Sequence, residues 1–200
     1  MLGIPLGLLY ANAAEWLIHR HVLHGLGKKK TSFWNFHWGE HHRASRKHAF
    51  FDPDYQRSPF GDHAQGKELL AVVGLLVVHA PLFALAPWFT ASVWYSGLNY
   101  LYVHRKAHLD PAWAKRHLKH HYDHHMGLDQ DKNWGVSHAW FDVLLGTRVE
   151  YAYDESGRVK REERRQPEVA LPIAPAREQN QAEVEVAQKP ADNDQNKSAA

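Results

Sequence analysis

The chain contains no cysteine, so disulfides, thiolate zinc sites and iron–sulfur clusters are excluded. It also lacks a charge excess: 24 Lys and Arg stand against 22 Asp and Glu, and no nucleic-acid partner is expected. Aromatic residues are missing from the stretch after Asp154, which is rich in Glu, Gln, Pro, Ala and Lys. Such a composition buries too little apolar surface to fold, and residues 151–200 are expected to be a polar, disordered tail. Residues 1–150 are left as the functional domain, and a chain of 200 residues suffices for one core.

Histidine is abundant, with 17 copies. Seven of them fall between His104 and His125: His104, His108, His117, His120, His121, His124 and His125. Steps of three and four residues return to one helix face. At about 100° per residue, the five from His117 to His125 span an arc of roughly 140° on a helix. Imidazoles stacked in register with no cysteine nearby are a way to assemble nitrogen ligands for a metal. Earlier in the chain, His19 and His24 lie about 140° apart on a helix. His37, His41 and His42 add an i, i+4 pair and its neighbour. A site with an open position usually takes three or four protein ligands. About ten well-placed histidines therefore suggest two metals, or one metal with a large supporting shell.

Three apolar segments accompany these groups: Leu2 to Ile18, Leu69 to Ala86, and Trp88 to Val103. Eight Trp and eight Tyr suit a protein that meets a membrane interface. Each segment is short for a full span, which suits tilted or re-entrant helices. Lys28, Lys29, Lys30, Arg43, Arg46 and Lys47 follow the first segment, and Arg105, Lys106, Lys115, Arg116 and Lys119 follow the third. The turn at Ala86 to Trp88 carries no charge. The positive-inside rule then places both histidine-rich regions in the cytoplasm and the N-terminus outside, with three crossings. Ala11-Asn12-Ala13 resembles a signal-peptide cleavage site, but no basic region precedes it, and an uncleaved first segment is expected.

The histidine order H-x4-H, H-x3-HH, H-x3-H and H-x2-HH resembles the membrane fatty acid hydroxylase/sterol desaturase superfamily. The run Asn133-Trp-Gly-Val-Ser-His-Ala-Trp-Phe-Asp142-Val-Leu-Leu-Gly146-Thr147 is similar to that superfamily's closing motif. The likeness covers roughly Ala11 to Thr147. It implies an all-α fold, integral membrane helices with a cytosolic histidine-rich helical cap. It also implies a non-haem di-iron centre (two Fe ions, with O2 as co-substrate) and a lipid substrate hydroxylated or desaturated at a C–H bond. A separate reductase or ferredoxin-like electron donor would complete the reaction.

By the same likeness His19 and His24 form the first box, His37, His41 and His42 the second, and His104 and His108 the third. The second box carries one more spacer than the commoner H-x2-HH form. The fourth box reads in two frames, His117/His120/His121 or His121/His124/His125. The second frame stands nearer the usual distance from the closing motif and is favoured, leaving His117 and His120 as supporting or surface residues.

The other histidines have plainer readings. His21 lies about 200° around a helix from His19 and matches no box, and His48, His63 and His138 are expected at exposed loops or helix ends. His79, inside the second apolar segment, is expected to be neutral and bonded to a backbone carbonyl. Glu15, Glu40, Asp123 and Asp142 are candidates to accept the free ring N–H of ligating histidines. Two rival functions use the same histidines. One is a membrane metal-binding or transport protein, although transporters place ionisable ligands near the midplane of their spans. The other is a zinc hydrolase with Glu15 or Glu40 as base, for which the H-E-x-x-H motif is absent.

Overall fold

In the computed structural model, residues 2–160 are described, and among them there is no β-strand beyond an isolated bridge between Tyr153 and Val159. The expected tail lies outside the described residues from 161 onward. Tyr151 and Tyr153 still pack on the helical domain: Tyr151 is buried, and the Tyr153 ring lies edge-on to Tyr122.

The three apolar segments are the three long helices: α1 (Gly3–Ile18), α3 (Ala64–His79) and α4 (Pro87–Leu109). Pro87 opens α4 at a position where a missing N–H costs nothing, as prolines do at a first turn. His63 caps α3, its ring nitrogen accepting from Gly66 N–H at 3.3 Å. It is therefore a helix-end residue, but a buried one. Helix α1 lies directly against α4. A Cβ on Gly7 would stand 2.6 Å from the Phe89 carbonyl oxygen and 2.8 Å from Ser92 Cβ, so only glycine permits this approach.

The apolar side chains of these helices face outward: Leu6 and Leu9 of α1, Leu70 and Val77 of α3, and Tyr95 and Leu98 of α4 are exposed. Among the described residues, only Ala64–Ala84 is long and apolar enough to cross a membrane, with 21 residues and a mean hydropathy of 1.7. Helix α1 has 16 residues, about 24 Å at 1.5 Å each, short of the ~30 Å hydrocarbon core. Helix α4 is longer but carries Arg105 and Lys106 near its C-terminal end.

The end of α1 widens into a π-helical turn. Helix α1 runs without a break into a π-helix over His19–Leu26, and Gly27 N–H closes back on the Val22 carbonyl at 3.0 Å. A second π-helix, Phe36–His42, leads into the short α2 (Arg43–Lys47). After α4 come α5 (Pro111–His117) and α6 (Lys119–Met126), separated by Leu118 in a non-helical conformation. This break corrects the expected single helical arc from His117 to His125. His117 ends α5, exposed beside Trp113, while the later four sit on α6. Helix α7 (Trp140–Leu144) follows the closing motif's first half.

A small apolar core (Phe50, Ala107, Ala114, Leu118 and Tyr122) supports α4, α5 and α6 where they converge. Truncating a buried Phe such as Phe50 typically costs about 3–5 kcal/mol. Most of the remaining interior is polar, and it is largely histidine.

Candidate metal centre

All ten expected ligand histidines are buried and gather in two adjoining groups. The first holds His19, His24, His37, His42 and His124; the second holds His41, His104, His108 and His125. Within each group, one ring nitrogen per residue lies within 4.8 Å of the others. His121 joins the second, its Nε2 3.1 Å from His108 Nε2. The groups touch where the His42 and His125 rings stack, 4.2 Å between centroids.

The two groups are built by different helical windings. A π-helix bonds i to i+5, so its turn is wider than an α-turn and residues five apart come together. On the first π-helix, His19 and His24 have ring centroids 5.0 Å apart; on the second, His37 and His42 stand at 4.7 Å. In the second group the pairs are four apart on ordinary α-helices: His104 and His108 at 4.8 Å, His121 and His125 at 4.7 Å. The extra spacer of the second box is therefore accommodated: it sends His37 and His42 to one group and His41 to the other.

The outer nitrogens fix the tautomers. His19 Nδ1–H donates to the Trp134 carbonyl, His124 Nδ1–H to Lys132 (2.7 Å), and His108 Nδ1–H to Phe50 (2.9 Å). Carboxylates accept from three more: Asp131 from His24 (3.4 Å), Asp52 from His41 (2.7 Å), and Glu68 from His104. A proton held on Nδ1 leaves Nε2 with a bare lone pair. His24 Nε2 and His124 Nε2 then face each other as two acceptors 3.1 Å apart. His41 Nε2, His104 Nε2 and both His125 nitrogens are buried with no hydrogen-bond partner. Converging lone pairs without donors are unfavourable alone and become favourable around a cation.

Burial also keeps the rings neutral, the form that ligates a metal. It pulls His19 from its ordinary value of 6.5 down to about 4, and holds His37, His42, His121, His124 and His125 well below the ordinary range. The donor set, neutral nitrogens with carboxylates behind them, suits Fe(II) as well as zinc, nickel or copper.

None of the four acids expected to touch ligating histidines does so. Glu40 pairs with Lys67 at 3.2 Å. Asp123 binds Lys119, Arg148 and Tyr153. Glu15 and Asp142 act one step further out. Glu15 accepts from the N–H groups of Val136 and Ser137, and Asp142 from those of Trp134 and Gly135 (2.8 and 2.7 Å). Together they hold the loop whose carbonyls orient His19 and His124.

Asp52, Glu68 and Asp131 fill the role those acids were expected to fill. Of the three, only Glu68 had a signal in the sequence, a carboxylate at the start of an apolar segment. Phe50 and Asn133, with φ of 80° and 57°, are strained for side-chain-bearing residues. Phe50 offers its carbonyl to His108 and stacks its ring on it at 4.4 Å. Asn133 braces the other side through two bonds to Val149.

Of the remaining histidines, His120 donates to the Val136 carbonyl from outside both groups, and His21 and His48 are exposed. His138 is exposed against Trp140, and His79 bonds the Leu75 carbonyl at 2.7 Å.

An apolar cavity of about 550 Å³ opens beside the first group between α1, α3 and α4. His19, His37 and Glu68 line one end, and Tyr10 and His79 line the other.

Comparison with curated proteins and with solved structures gave no match. A family model described as Fatty acid hydroxylase matches residues 4–147, a span that holds both histidine groups, the cavity and the loop fixed by Glu15 and Asp142. The chain belongs to the fatty acid hydroxylase family.

Proposed function

We propose that the protein is a membrane-bound, O2-dependent oxidoreductase that hydroxylates or desaturates a C–H bond of a lipid at a histidine-ligated di-iron centre. The observation that carries this reading is the convergence of ten buried imidazoles, six with an outer N–H held by a carbonyl or carboxylate, into two adjoining groups beside an apolar cavity. His19, His24, His37, His42 and His124 would hold one iron, and His41, His104, His108, His121 and His125 the other. Bound iron supplies O2 activation and oxidation of an otherwise unreactive C–H bond.

The chain's own residues do the rest. Asp52, Glu68 and Asp131 fix ring orientation and raise ligand basicity. The cavity wall of Val72, Leu75, Leu76 and Val93 holds an acyl-like chain and excludes water from the reacting carbon. Hydroxylation consumes one O2, two electrons and two protons and releases water, so a separate reductase or ferredoxin-like donor is part of the proposal.

Membrane residence is supported by the Ala64–Ala84 span and by the outward apolar faces of α1 and α4. The basic residues beyond Ile18 and Val103 support a multi-pass topology with the histidine face in the cytoplasm. A lipid would then enter sideways from the bilayer.

The test is metal analysis and Mössbauer spectroscopy of the full-length protein, purified in detergent after growth on labelled iron. A coupled pair of non-haem irons is expected, with lipid oxidation lost in His108→Ala and His124→Ala. Zinc or nickel alone, with no activity after anaerobic Fe(II) loading, would overturn the proposal in favour of metal handling.

A further inference from the structure

The aromatic side chains that touch the ligating rings differ in where they lead. Tyr55, Phe50 and Trp134 are buried. Tyr100, tilted against His104 at 5.3 Å, lines the apolar cavity. Trp38 is half-buried, with its ring centroid 4.9 Å from that of His24 and 5.3 Å from that of His42. It takes no part in the cavity wall, so its accessible part faces the outer surface. Among the described residues, Trp38 is therefore the aromatic bridge from ligating histidines to the outside, and it serves the first group.

The surface around Trp38 is basic. Lys28 Nζ lies 4.8 Å from the centre of the Trp38 ring while bonding Asp131 at 2.6 Å. Lys29 and Lys30 follow it, both exposed. Arg43 and Lys47, also exposed, stand one turn apart on α2, which continues the helix that carries Trp38. None of these four cations has an ion-pair partner among the described residues. The neighbouring acids are mostly taken, Asp131 by Lys28 and Glu40 by Lys67, which leaves Asp129. Uncompensated positive charge on one face suits a negatively charged partner.

Electron tunnelling falls off steeply with distance, so electrons enter where a carrier's redox group comes closest to a ligating ring. Building on the lipid-oxidase reading above, we infer that an acidic one-electron carrier protein docks on the Lys29, Lys30, Arg43 and Lys47 face and passes electrons through Trp38 to the His24/His42 group. Each docking oxidises the carrier by one electron, and two supply the pair that a turnover consumes; the two protons come from solvent. Trp38 conducts and is itself neither oxidised nor reduced. The second group, sealed behind Tyr55 and Phe50, is filled through the first, across the stacked rings of His42 and His125.

The experiment uses the full-length protein in nanodiscs of phosphatidylcholine, a lipid without net charge. Reduced plant-type ferredoxin is the acidic probe and cytochrome c the basic one. Ferredoxin is expected to bind with an affinity that falls as salt is added, and cytochrome c not to bind. Lys29→Glu combined with Lys30→Glu is expected to slow ferredoxin association by at least about tenfold. In iron-loaded protein, stopped-flow reduction by ferredoxin is expected to lose its fast phase in Trp38→Leu and keep it in Trp38→Phe. Iron content and ferredoxin affinity should be unchanged in both.

Salt-insensitive binding, equal binding of cytochrome c, binding of neither, or unchanged association in the Lys29/Lys30 variant would overturn the inference. So would an undiminished fast phase in Trp38→Leu, or its equal loss in Trp38→Phe. Should Trp38→Leu fail to hold iron, the salt dependence and the lysine variant still decide. Docking is read on the protein as purified, whatever metal it holds. A chain that docks ferredoxin on these lysines yet holds no iron pair would fail the functional proposal and keep the docking face.

Discussion

The two histidine groups face similar demands and meet them with different backbones. The second draws its pairs from residues four apart on α4 and α6, the spacing an α-helix places on one face. The first draws its pairs from residues five apart, which an α-helix would splay and which the two π-helices bring together. The second group leans on buried carboxylates, Asp52 and Glu68. The first leans on the loop carbonyls of Lys132 and Trp134 and on the half-exposed Asp131. One is therefore set by helix periodicity and buried charge, the other by a local departure from periodicity and by loop path.

Adjacent residues on α6 test this division most severely, because His124 belongs to the first group and His125 to the second. Each change to Ala is expected to remove one iron of the proposed pair and to lower oxidation by more than about a hundredfold, since loss of a merely supporting partner already costs 10–100-fold. Iron content and Mössbauer spectra of the two variants should report different surviving irons; identical spectra would deny the separation.

Deleting Leu23 converts the His19–His24 spacing from five to four. It is expected to abolish binding at the first group and leave the second iron in place, again by metal content. Retention of both irons would show that the π-helical spacing is dispensable.

Asp52→Asn should weaken metal binding at the second group by about 10–100-fold and spare the first, read by competition with a chelator.

Acid addresses the first group through His19. Its folded-state value of about 4 lies below the ordinary 6.5, so the unfolded chain takes up the proton first. Stability of the metal-free protein is then fully present above about pH 6.5 and falls as pH drops toward about 4, in thermal melts. A flat profile across that window would contradict burial of a neutral ring.

The smallest effect is expected at Lys28→Ala. This removes a pair with Asp131 in which the side chains are 40% and 50% exposed, and should shift stability by no more than about 0.5 kcal/mol.

The same contrast explains what could be read from the sequence. Helices α1, α3 and α4 were legible because long apolar runs bounded by proline and by basic residues leave few alternatives. His104 and His108 were legible as a pair because their spacing matches an α-turn. The π-helices were not: nothing in His19–Leu26 or Phe36–His42 marks a wider turn, so His19 and His24 read as flanking a site from about 140° apart and the second box read as carrying one spacer too many. The orienting groups were hidden for another reason. Asp52 and Asp131 meet His41 and His24 only through tertiary packing, and a carbonyl acceptor such as that of Trp134 leaves no trace in residue identity. Leu118, an ordinary helix former, gave no sign that it would interrupt the run from His117 to His125.

Because the His124 ring is aimed by the main-chain oxygen of Lys132, the side chain at that position is only loosely bound to the task. At Lys132 almost any residue could stand without turning the His124 ring. The constraint moves to residues that never meet a ligating histidine: Asn133, which carries the left-handed bend, and Asp142, whose carboxylate gathers the Trp134 and Gly135 amides. In this loop Lys132, whose carbonyl meets His124, should therefore tolerate substitution more readily than the more distant carboxylate of Asp142.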